Sequence, residues 1–190
     1  MAVHRSHLIL GGVRSGKSRF ALAQAQALGL PTAFIATASP EDASLRARIA
    51  RHRAERPRDW LTVEEPLDVV AACRRVARQR DLLVVDCVTL WVANLMQRGE
   101  DEPAVVAAAD DMAKLLNERL VSIILVSNEV GAGVHPPTEV GVRFADRLGR
   151  ANQRLAAAAD RVTLMVAGLP VTVKDTPVSG HLHDATPEAP

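Results

Sequence analysis

The sequence is short of the residue types on which several functional classes depend. Only 3% of its 190 residues are aromatic and none is tyrosine, so stacking platforms for single-stranded nucleic acid are poorly supplied. The formal net charge is +1, which gives no global attraction to nucleic acid or to an anionic membrane surface. We therefore expect no nucleic-acid partner.

Cysteines and long apolar runs are scarce as well. Cys73 and Cys87 show neither metal-ligand spacing nor a disulfide framework, which favours a reducing compartment. No apolar run approaches the length that spans a membrane, and the N-terminus lacks the apolar core of a secretion signal. The sequence thus predicts a cytoplasmic protein without a membrane span.

What the sequence does contain is an alternation of apolar strands and helical segments. With 48% hydrophobic and 24% charged residues, it has enough apolar material for the core of one domain. Predicted strands cover residues 7–10, 32–38, 61–63, 82–85, 122–126, 161–167 and 171–174. Predicted helices cover residues 17–27, 41–55, 67–80 and 138–159, with further helical segments up to about residue 120 that break near Gly99 and Pro103.

Strands that are apolar throughout and alternate with helices are typical of a largely parallel sheet with helices on both faces. We therefore predict a single α/β domain over residues 1–174 and a flexible C-terminal tail over residues 175–190. Binding sites in such folds lie at the carboxyl ends of the strands. The loops that follow Leu10, Ala38, Val85 and Val126 are expected to share one edge.

The first of these loops, G-G-V-R-S-G-K-S, fits the phosphate-loop pattern between a strand and a helix. Its glycines let backbone N–H groups point inward at phosphate oxygens, and the helix that follows presents its N-terminus to the anion. Lys17 adds a cation and Ser18 a ligand for Mg²⁺. The predicted nucleotide-binding residues here are Gly11, Gly12, Val13, Arg14, Ser15, Gly16, Lys17 and Ser18. The fold class is accordingly P-loop NTPase-like.

Asp86 ends a buried strand and suits the acidic residue that holds Mg²⁺ through water in such proteins. The alternative is a helix cap for the segment that follows, because aspartate caps helices well. The phosphate loop itself does not choose between a kinase, a switch, a motor and a transporter ATPase.

A second feature is the stretch R-A-R-I-A-R-H-R-A-E-R-P-R-D-W, in which His52 lies among arginines. On a helix, Leu45, Ile49 and His52 fall within about 60° of one another, so His52 continues an inward stripe. One interpretation is a half-buried histidine at the end of a core face. The other is an imidazole that faces phosphates, where histidine is a competent nucleophile for phosphorus.

Two further segments carry polar residues after predicted strands. Glu64 and Glu65 could contact a ribose or a base, or belong to a solvated turn. Asn128 and Glu129 lie in a glycine-containing loop that could contact a ligand, or be a capped loop without a ligand.

Six segments together resemble the bifunctional adenosylcobinamide kinase/adenosylcobinamide-phosphate guanylyltransferase family of cobalamin biosynthesis. They are G-G-V-R-S-G-K-S-R, I-A-T-A, R-I-A-R-H-R-A-E-R-P-x-D-W-x-T-x-E, V-V-D-C-V-T-L-W-V-A-N-L, V-S-N-E-V-G-A-G-V-H-P and G-R-A-N-Q-R-L-A-A-A-A-D. The resemblance covers about residues 7 to 174. Some members of the family have two adjacent histidines where this chain has Arg51 and His52.

The resemblance implies two reactions, with Mg²⁺ and with ATP and GTP as substrates. A triphosphate phosphorylates the aminopropanol hydroxyl of adenosylcobinamide, and GMP then passes from GTP through a GMP-histidine to adenosylcobinamide phosphate. The implied nucleophile is His52, and Lys17 is assigned to catalysis with it. Beyond the phosphate loop, the implied nucleotide-binding residues are Ala36, Thr37, Ala38, Arg53, Ala54, Glu55, Arg56, Glu64 and Asp86. The family also implies a homotrimer with sites near subunit boundaries.

Two rival functions remain open on the residues alone. A nucleotide-dependent switch or assembly protein would use the same loop for binding and slow hydrolysis. A monofunctional small-molecule kinase would leave His52 a purely structural role.

Overall fold

The structure is a computed structural model that describes residues 5–38, 56–131 and 136–176. The strands in these residues are β1 (Ser6–Gly11), β2 (Thr32–Ala36), β3 (Leu61–Glu64), β4 (Leu82–Asp86), β5 (Ser122–Val126), β6 (Arg161–Val166) and β7 (Leu169–Asp175). The helices are α1 (Lys17–Leu28), α2 (Val69–Val76), α3 (Val88–Gln97), α4 (Glu102–Glu118) and α5 (Glu139–Ala158).

The described strands form one sheet in the order β3-β2-β4-β5-β1-β6-β7. Every neighbouring pair is parallel except β6 and β7, which are antiparallel. The predicted α/β fold with a largely parallel sheet is therefore confirmed. Because parallel strands all end at one edge, the loops after β1, β2, β4 and β5 meet there, as the sequence predicts.

Successive residues of the central strands pack on opposite faces of the sheet. Leu8 and Leu83 belong to a core cluster with α2, α3, α4 and α5, whereas Ile9 and Val84 belong to a smaller cluster with α1. Side chains alternate across a strand, so both faces need apolar residues when both are covered. This two-sided cover explains why the strands are apolar throughout.

Some predicted boundaries differ from the structure. β2 ends at Ala36 rather than at residue 38, because the groups of Thr37 bond to Asp86 and Cys87 instead of continuing the strand. α2 is shorter than the predicted helix 67–80, since Glu65 Oε1 accepts the amides of residues 67 and 68 in a turn. The predicted break near Gly99 and Pro103 is confirmed, because α3 ends at Gln97 and α4 begins at Glu102, with Pro103 in its first turn.

The last strand is longer than predicted and continues through Asp175, whose carboxylate forms an ion pair with Arg5. The predicted helix 41–55 lies outside the described residues, as does most of the predicted tail, from residue 177 onward. Among the helices that the structure describes, none combines the length and apolarity that a membrane span requires.

Candidate active site

The segment from Gly11 to Ser18 connects β1 to α1, which confirms the strand–loop–helix context predicted for a phosphate loop. Arg14 and Gly16 have φ angles of 57° and 94°, so the backbone curls back on itself within four residues. The amide of Ser15 donates to the carbonyl of Gly12 at 3.3 Å. The ammonium of Lys17 donates to the same carbonyl at 2.6 Å, which fixes the cation at the loop.

Gly11 is packed so closely that no other residue fits its position. A Cβ atom there would lie 2.6 Å from the carbonyl oxygen of Met165 and 2.7 Å from Oγ of Ser15. Real Cβ atoms essentially never approach a backbone oxygen so closely. The first glycine of the pattern is therefore required by contact with β6, in addition to any contact with phosphate.

The turn between β6 and β7 supports the phosphate loop from the other side. The amide of Gly168 donates to the carbonyl of Ser15 at 3.1 Å, and the Cα of Gly168 lies 3.4 Å from where a Cβ on Gly16 would be. The hydroxyl of Ser15 is buried and has no hydrogen-bond partner within the described part of the chain. A buried hydroxyl without a partner is costly, and a bound phosphate oxygen would satisfy it.

Three other predicted residues lie side by side at the carboxyl edge of the sheet. Ala36 is aligned with Glu64 on β3 and with Asp86 on β4, and neighbouring strands are about 4.8 Å apart. Asp86 is in turn aligned with Val126 on β5. The phosphate loop emerges from β1, the next strand in the sheet. The sheet thus brings Glu64, Ala36 and Asp86 to the same edge as the phosphate loop.

Thr37 is fully buried, and its hydroxyl is occupied within the protein. It accepts the amide of Cys87 and donates to the carbonyl of Cys87, both at 2.7 Å. Its own carbonyl accepts from Nδ2 of Asn94 at 2.8 Å. These contacts tie the end of β2 to the residue after Asp86.

Ser18 and Asp86 were predicted to hold Mg²⁺, and both are half-buried at the sheet's carboxyl edge. A hydroxyl and a carboxylate are oxygen ligands, which Mg²⁺ prefers, and Mg²⁺ usually takes few protein ligands together with water and substrate phosphates. The donor set therefore fits a magnesium ion that is shared with a bound triphosphate.

Arg56 lies over β2 and β3, before their carboxyl ends. Its guanidinium carbon is 3.5 Å from the centroid of the Phe34 ring, and Nη1 donates to Thr62 at 3.5 Å. Phe34 and Thr62 are aligned two residues before Ala36 and Glu64. The predicted contact of Arg56 with nucleotide therefore remains a prediction, and its described contacts anchor the segment that precedes β3.

The predicted nucleophile His52 and its neighbours Arg53, Ala54 and Glu55 lie outside the described residues. The thiols offer no competing nucleophile. Burial raises the pKa of Cys73 to about 12. Burial and the carboxylate of Asp86 also raise the pKa of Cys87, so both thiols are protonated at neutral pH.

Comparison with known proteins agrees with this architecture. The family described as cobinamide kinase / cobinamide phosphate guanyltransferase matches residues 7–173. The chain belongs to this family.

Three relatives in the cobinamide kinase / cobinamide phosphate guanyltransferase family are similar over nearly their whole length. The bifunctional adenosylcobalamin biosynthesis protein CobP of Pseudomonas aeruginosa is 44% identical, over 90% of this chain and 98% of its own. The proteins named CobU from Salmonella typhimurium and Escherichia coli are 37% and 34% identical, each over 88% of this chain and 98% of its own. The match includes residues 39–55 and hence His52.

One group of residues within the family match was not assigned a role from the sequence. Thr89 on α3 and Asn152 on α5 form hydrogen bonds to Ser127 and Asn128, directly after β5. Asn152 lies in the G-R-A-N-Q-R-L-A stretch that helped to indicate the family. The sequence does contain a signal for this role: an asparagine on the buried side of an amphipathic helix needs hydrogen-bond partners, because buried amides are rarely left without them.

Proposed function

We propose that this chain catalyses two successive steps of cobalamin biosynthesis. It phosphorylates the aminopropanol hydroxyl of adenosylcobinamide with a nucleoside triphosphate, either ATP or GTP. It then transfers GMP from GTP to adenosylcobinamide phosphate, which gives adenosylcobinamide-GDP and pyrophosphate. The observation that carries this proposal is a phosphate loop at the same sheet edge as Glu64 and Asp86, in a chain of the cobinamide kinase / cobinamide phosphate guanyltransferase family.

The GMP transfer proceeds through His52. A neutral imidazole nitrogen attacks the α-phosphorus of GTP, a P–N bond forms, and the bond from the α-phosphorus to the α–β bridging oxygen breaks as pyrophosphate leaves. A phosphate oxygen of adenosylcobinamide phosphate then attacks the same phosphorus, and the P–N bond breaks to regenerate histidine. His52 has to be neutral for the first attack, so guanylylation weakens when the pH falls below its pKa.

The triphosphate is bound by the phosphate loop. Backbone N–H groups of the loop and the ammonium of Lys17 stabilise the negative charge that develops on the leaving group. The exposed loop residues Gly12, Val13 and Arg14 leave the loop open to an incoming nucleotide. Ala36, Ala38, Glu64 and Arg53 to Arg56 complete the nucleotide site, with Thr37 holding the end of β2 in place.

Ser18 and Asp86 would hold a magnesium ion, Ser18 directly and Asp86 through water. The ion neutralises phosphate charge when it is bound. Ser18 at the start of α1 and Asp86 at the end of β4 are half-buried, so both residues are partly accessible.

The proposed assembly is a homotrimer whose sites lie near subunit boundaries. Exposed apolar side chains on the edge strand β7 support contact between copies: Leu169, Val171 and Val173 are 69%, 48% and 63% exposed. Exposed apolar side chains on an edge strand favour aggregation unless another surface covers them. The turn before β7 contacts the phosphate loop through Gly168 and Ser15, so a second copy that covers β7 would approach the nucleotide.

The proposed location is the cytoplasm, where thiols stay reduced. Cys73 and Cys87 are both free thiols in the structure. The nucleoside triphosphates that the reactions need are intracellular metabolites, which is consistent with this location.

Labelling with GTP that carries a radioactive α-phosphate tests the proposal. The wild-type chain is expected to acquire a base-stable, acid-labile label, and adenosylcobinamide phosphate is expected to discharge it. His52→Ala should abolish the label and keep much of the kinase step. His181→Ala, in the predicted tail, is the matched histidine control and should label normally. Label that survives His52→Ala would refute the nucleophile, and a wild-type chain that neither labels nor phosphorylates adenosylcobinamide would refute the function.

A further inference from the structure

Asn128 lies at the centre of the carboxyl edge, between the phosphate loop and Asp86. It is the second residue after β5, the strand between β1 and β4. The last residue of β5, Val126, is aligned with Asp86. The next residue after Asn128, Glu129, donates its amide to the carbonyl of Gly11 at 3.0 Å. The backbone next to Asn128 is therefore fixed to the first residue of the phosphate loop, and it follows the strand residue that is aligned with Asp86.

Both backbone polar groups of Asn128 are held by side chains from other elements. Its amide donates to Oγ1 of Thr89 at 2.7 Å, and its carbonyl accepts from Nδ2 of Asn152 at 3.0 Å. Oδ1 of Asn152 accepts the hydroxyl of Ser127 at 2.7 Å. Thr89, Ser127 and Asn152 are 8%, 0% and 6% exposed, and satisfied buried networks of this kind specify one rigid geometry.

The carboxamide of Asn128 takes no part in this network. It forms no hydrogen bond to any residue within 5–38, 56–131 or 136–176. Asn128 is half-buried, so part of the residue is accessible. An asparagine that serves to cap a loop bonds its side chain to a nearby backbone group. Here Thr89 and Asn152 do that capping. The backbone that carries this carboxamide is fixed, and the carboxamide has no hydrogen-bond partner among the described residues, so it is available to a ligand.

We propose that Asn128 is a further catalytic residue of the kinase step and that Asn152 is its positioning residue; this inference rests on the function proposed above. Nδ2 of Asn128 donates a hydrogen bond to an oxygen of the γ-phosphoryl group during transfer. The aminopropanol oxygen forms a bond to the γ-phosphorus, the bond to the β–γ bridging oxygen breaks, the nucleoside diphosphate leaves, and the hydroxyl proton passes to solvent. Negative charge is spread over the γ-phosphoryl oxygens at that point, and a donor fixed beforehand stabilises it without reorganisation.

The first test compares Asn128→Ala with Gln153→Ala, an exposed amide on α5 next to Asn152. Asn128→Ala should lower kcat of adenosylcobinamide phosphorylation by about 100-fold, as loss of one fixed donor does in other enzymes. The Kd for the non-hydrolysable β,γ-imido analogue of ATP, measured by calorimetry, should change by less than about threefold, because the donor acts in the transition state. Asn128→Asp should lower kcat further, since it brings a negative charge to the phosphates. Gln153→Ala should leave both quantities unchanged.

The second test asks whether Asn152 acts through Asn128. Asn152→Asp removes the N–H that holds the Asn128 carbonyl and keeps the oxygen that accepts from Ser127. This variant should lower kcat on its own, but it should add little to the loss in Asn128→Ala, because it acts through the same carboxamide. Thermal unfolding of each variant checks that the chain is folded; if Asn152→Asp does not fold, the Asn128 variants decide the question alone.

Lys17→Ala separates failure of this inference from failure of the proposed function. If Lys17→Ala abolishes phosphorylation and Asn128→Ala leaves kcat unchanged, Asn128 is not catalytic and the phosphate-loop function stands. A fall in kcat that is matched by an equal loss of nucleotide affinity or by unfolding also overturns the catalytic role. If Lys17→Ala has no effect either, the function of the loop itself is wrong.

Discussion

The hydroxyl of Thr37 accepts a hydrogen bond from the amide of Cys87 and donates one to the carbonyl of Cys87, both at 2.7 Å. A single buried side chain thus satisfies both backbone groups of the residue that follows Asp86. This pairing holds the ends of β2 and β4 together, where the nucleotide site is proposed.

Replacing Thr37 with valine is expected to lower the free energy of unfolding by about 1–3 kcal/mol, because two partly buried backbone groups of Cys87 lose their partner. Valine keeps the shape and the β-branch, so the change isolates the hydroxyl. Thr172→Val, at an exposed position of β7, should change stability little. Urea unfolding measures both, and equal midpoints for the two variants would contradict a structural role for the Thr37 hydroxyl.

Lys17→Ala is expected to reduce both the kinase step and the GMP transfer by at least about 100-fold, since a cation at the phosphates is lost. Steady-state assays of the two reactions with separate acceptors measure this. Lys114→Ala is the control, because Lys114 lies on the surface in an exposed ion pair with Asp111. Loss of one reaction alone would show that the two steps do not share the phosphate loop.

Gly11→Ala is expected to destabilise the fold by about 2–4 kcal/mol, from overpacking and backbone strain together. The new Cβ would press against the Met165 carbonyl at 2.6 Å, and φ at this position is 149°. Gly12→Ala is the control for stability, because nothing lies within 4 Å of a Cβ there. Comparison of their urea midpoints checks this, and a Gly11→Ala chain as stable as Gly12→Ala would be incompatible with the described packing.

His7 is expected to make the fold less stable as the pH falls from about 6.5 to about 4. Burial, aided by the positive charges of Arg161 and Arg5 and opposed by Asp175, lowers the pKa of His7 from 6.5 to about 4. The folded chain therefore resists a proton that the unfolded chain accepts, so the contribution is complete above pH 6.5 and is lost as the pH falls toward 4. The buried ring also lies 2.8 Å from Oγ1 of Thr163.

His7→Gln should flatten the dependence of unfolding free energy on pH within this window. Urea unfolding at pH 7.5, 6 and 5 measures the slope, with His181→Gln, in the predicted tail, as the control. An unchanged slope in His7→Gln would mean that His7 is not protonated differently in the folded and unfolded chains.

The sequence predicts the parts of the site that depend on contiguous residues. Gly11 to Ser18 form a loop whose pattern is local, and Asp86 follows an apolar strand, so position along the chain was sufficient to propose both. The Thr37–Cys87 pairing depends on which strands are neighbours, and the contact between Asn128 and Asn152 depends on how α5 packs. A single sequence contains no direct signal for such contacts.

The direction of β7 is another feature that the sequence did not predict. A strand near residues 171–174 was expected, but its antiparallel direction was not. Ala167 and Gly168, with φ angles of 51° and 86°, form a two-residue turn that reverses the chain into β7. Positive φ at both positions is typical of tight hairpins, and Gly168 was the residue that could have indicated one.

β1 lies in the interior of the sheet, although it comes first along the chain. Its partners begin at Ser122 and Arg161, so a ribosome has to synthesise most of the protein before either can pair with it. Until then the apolar residues of β1 have no sheet to join, which is a state prone to aggregation. Truncated chains that end before β5 therefore lack both neighbours of β1, and they are expected to retain the phosphate-loop sequence without binding a triphosphate.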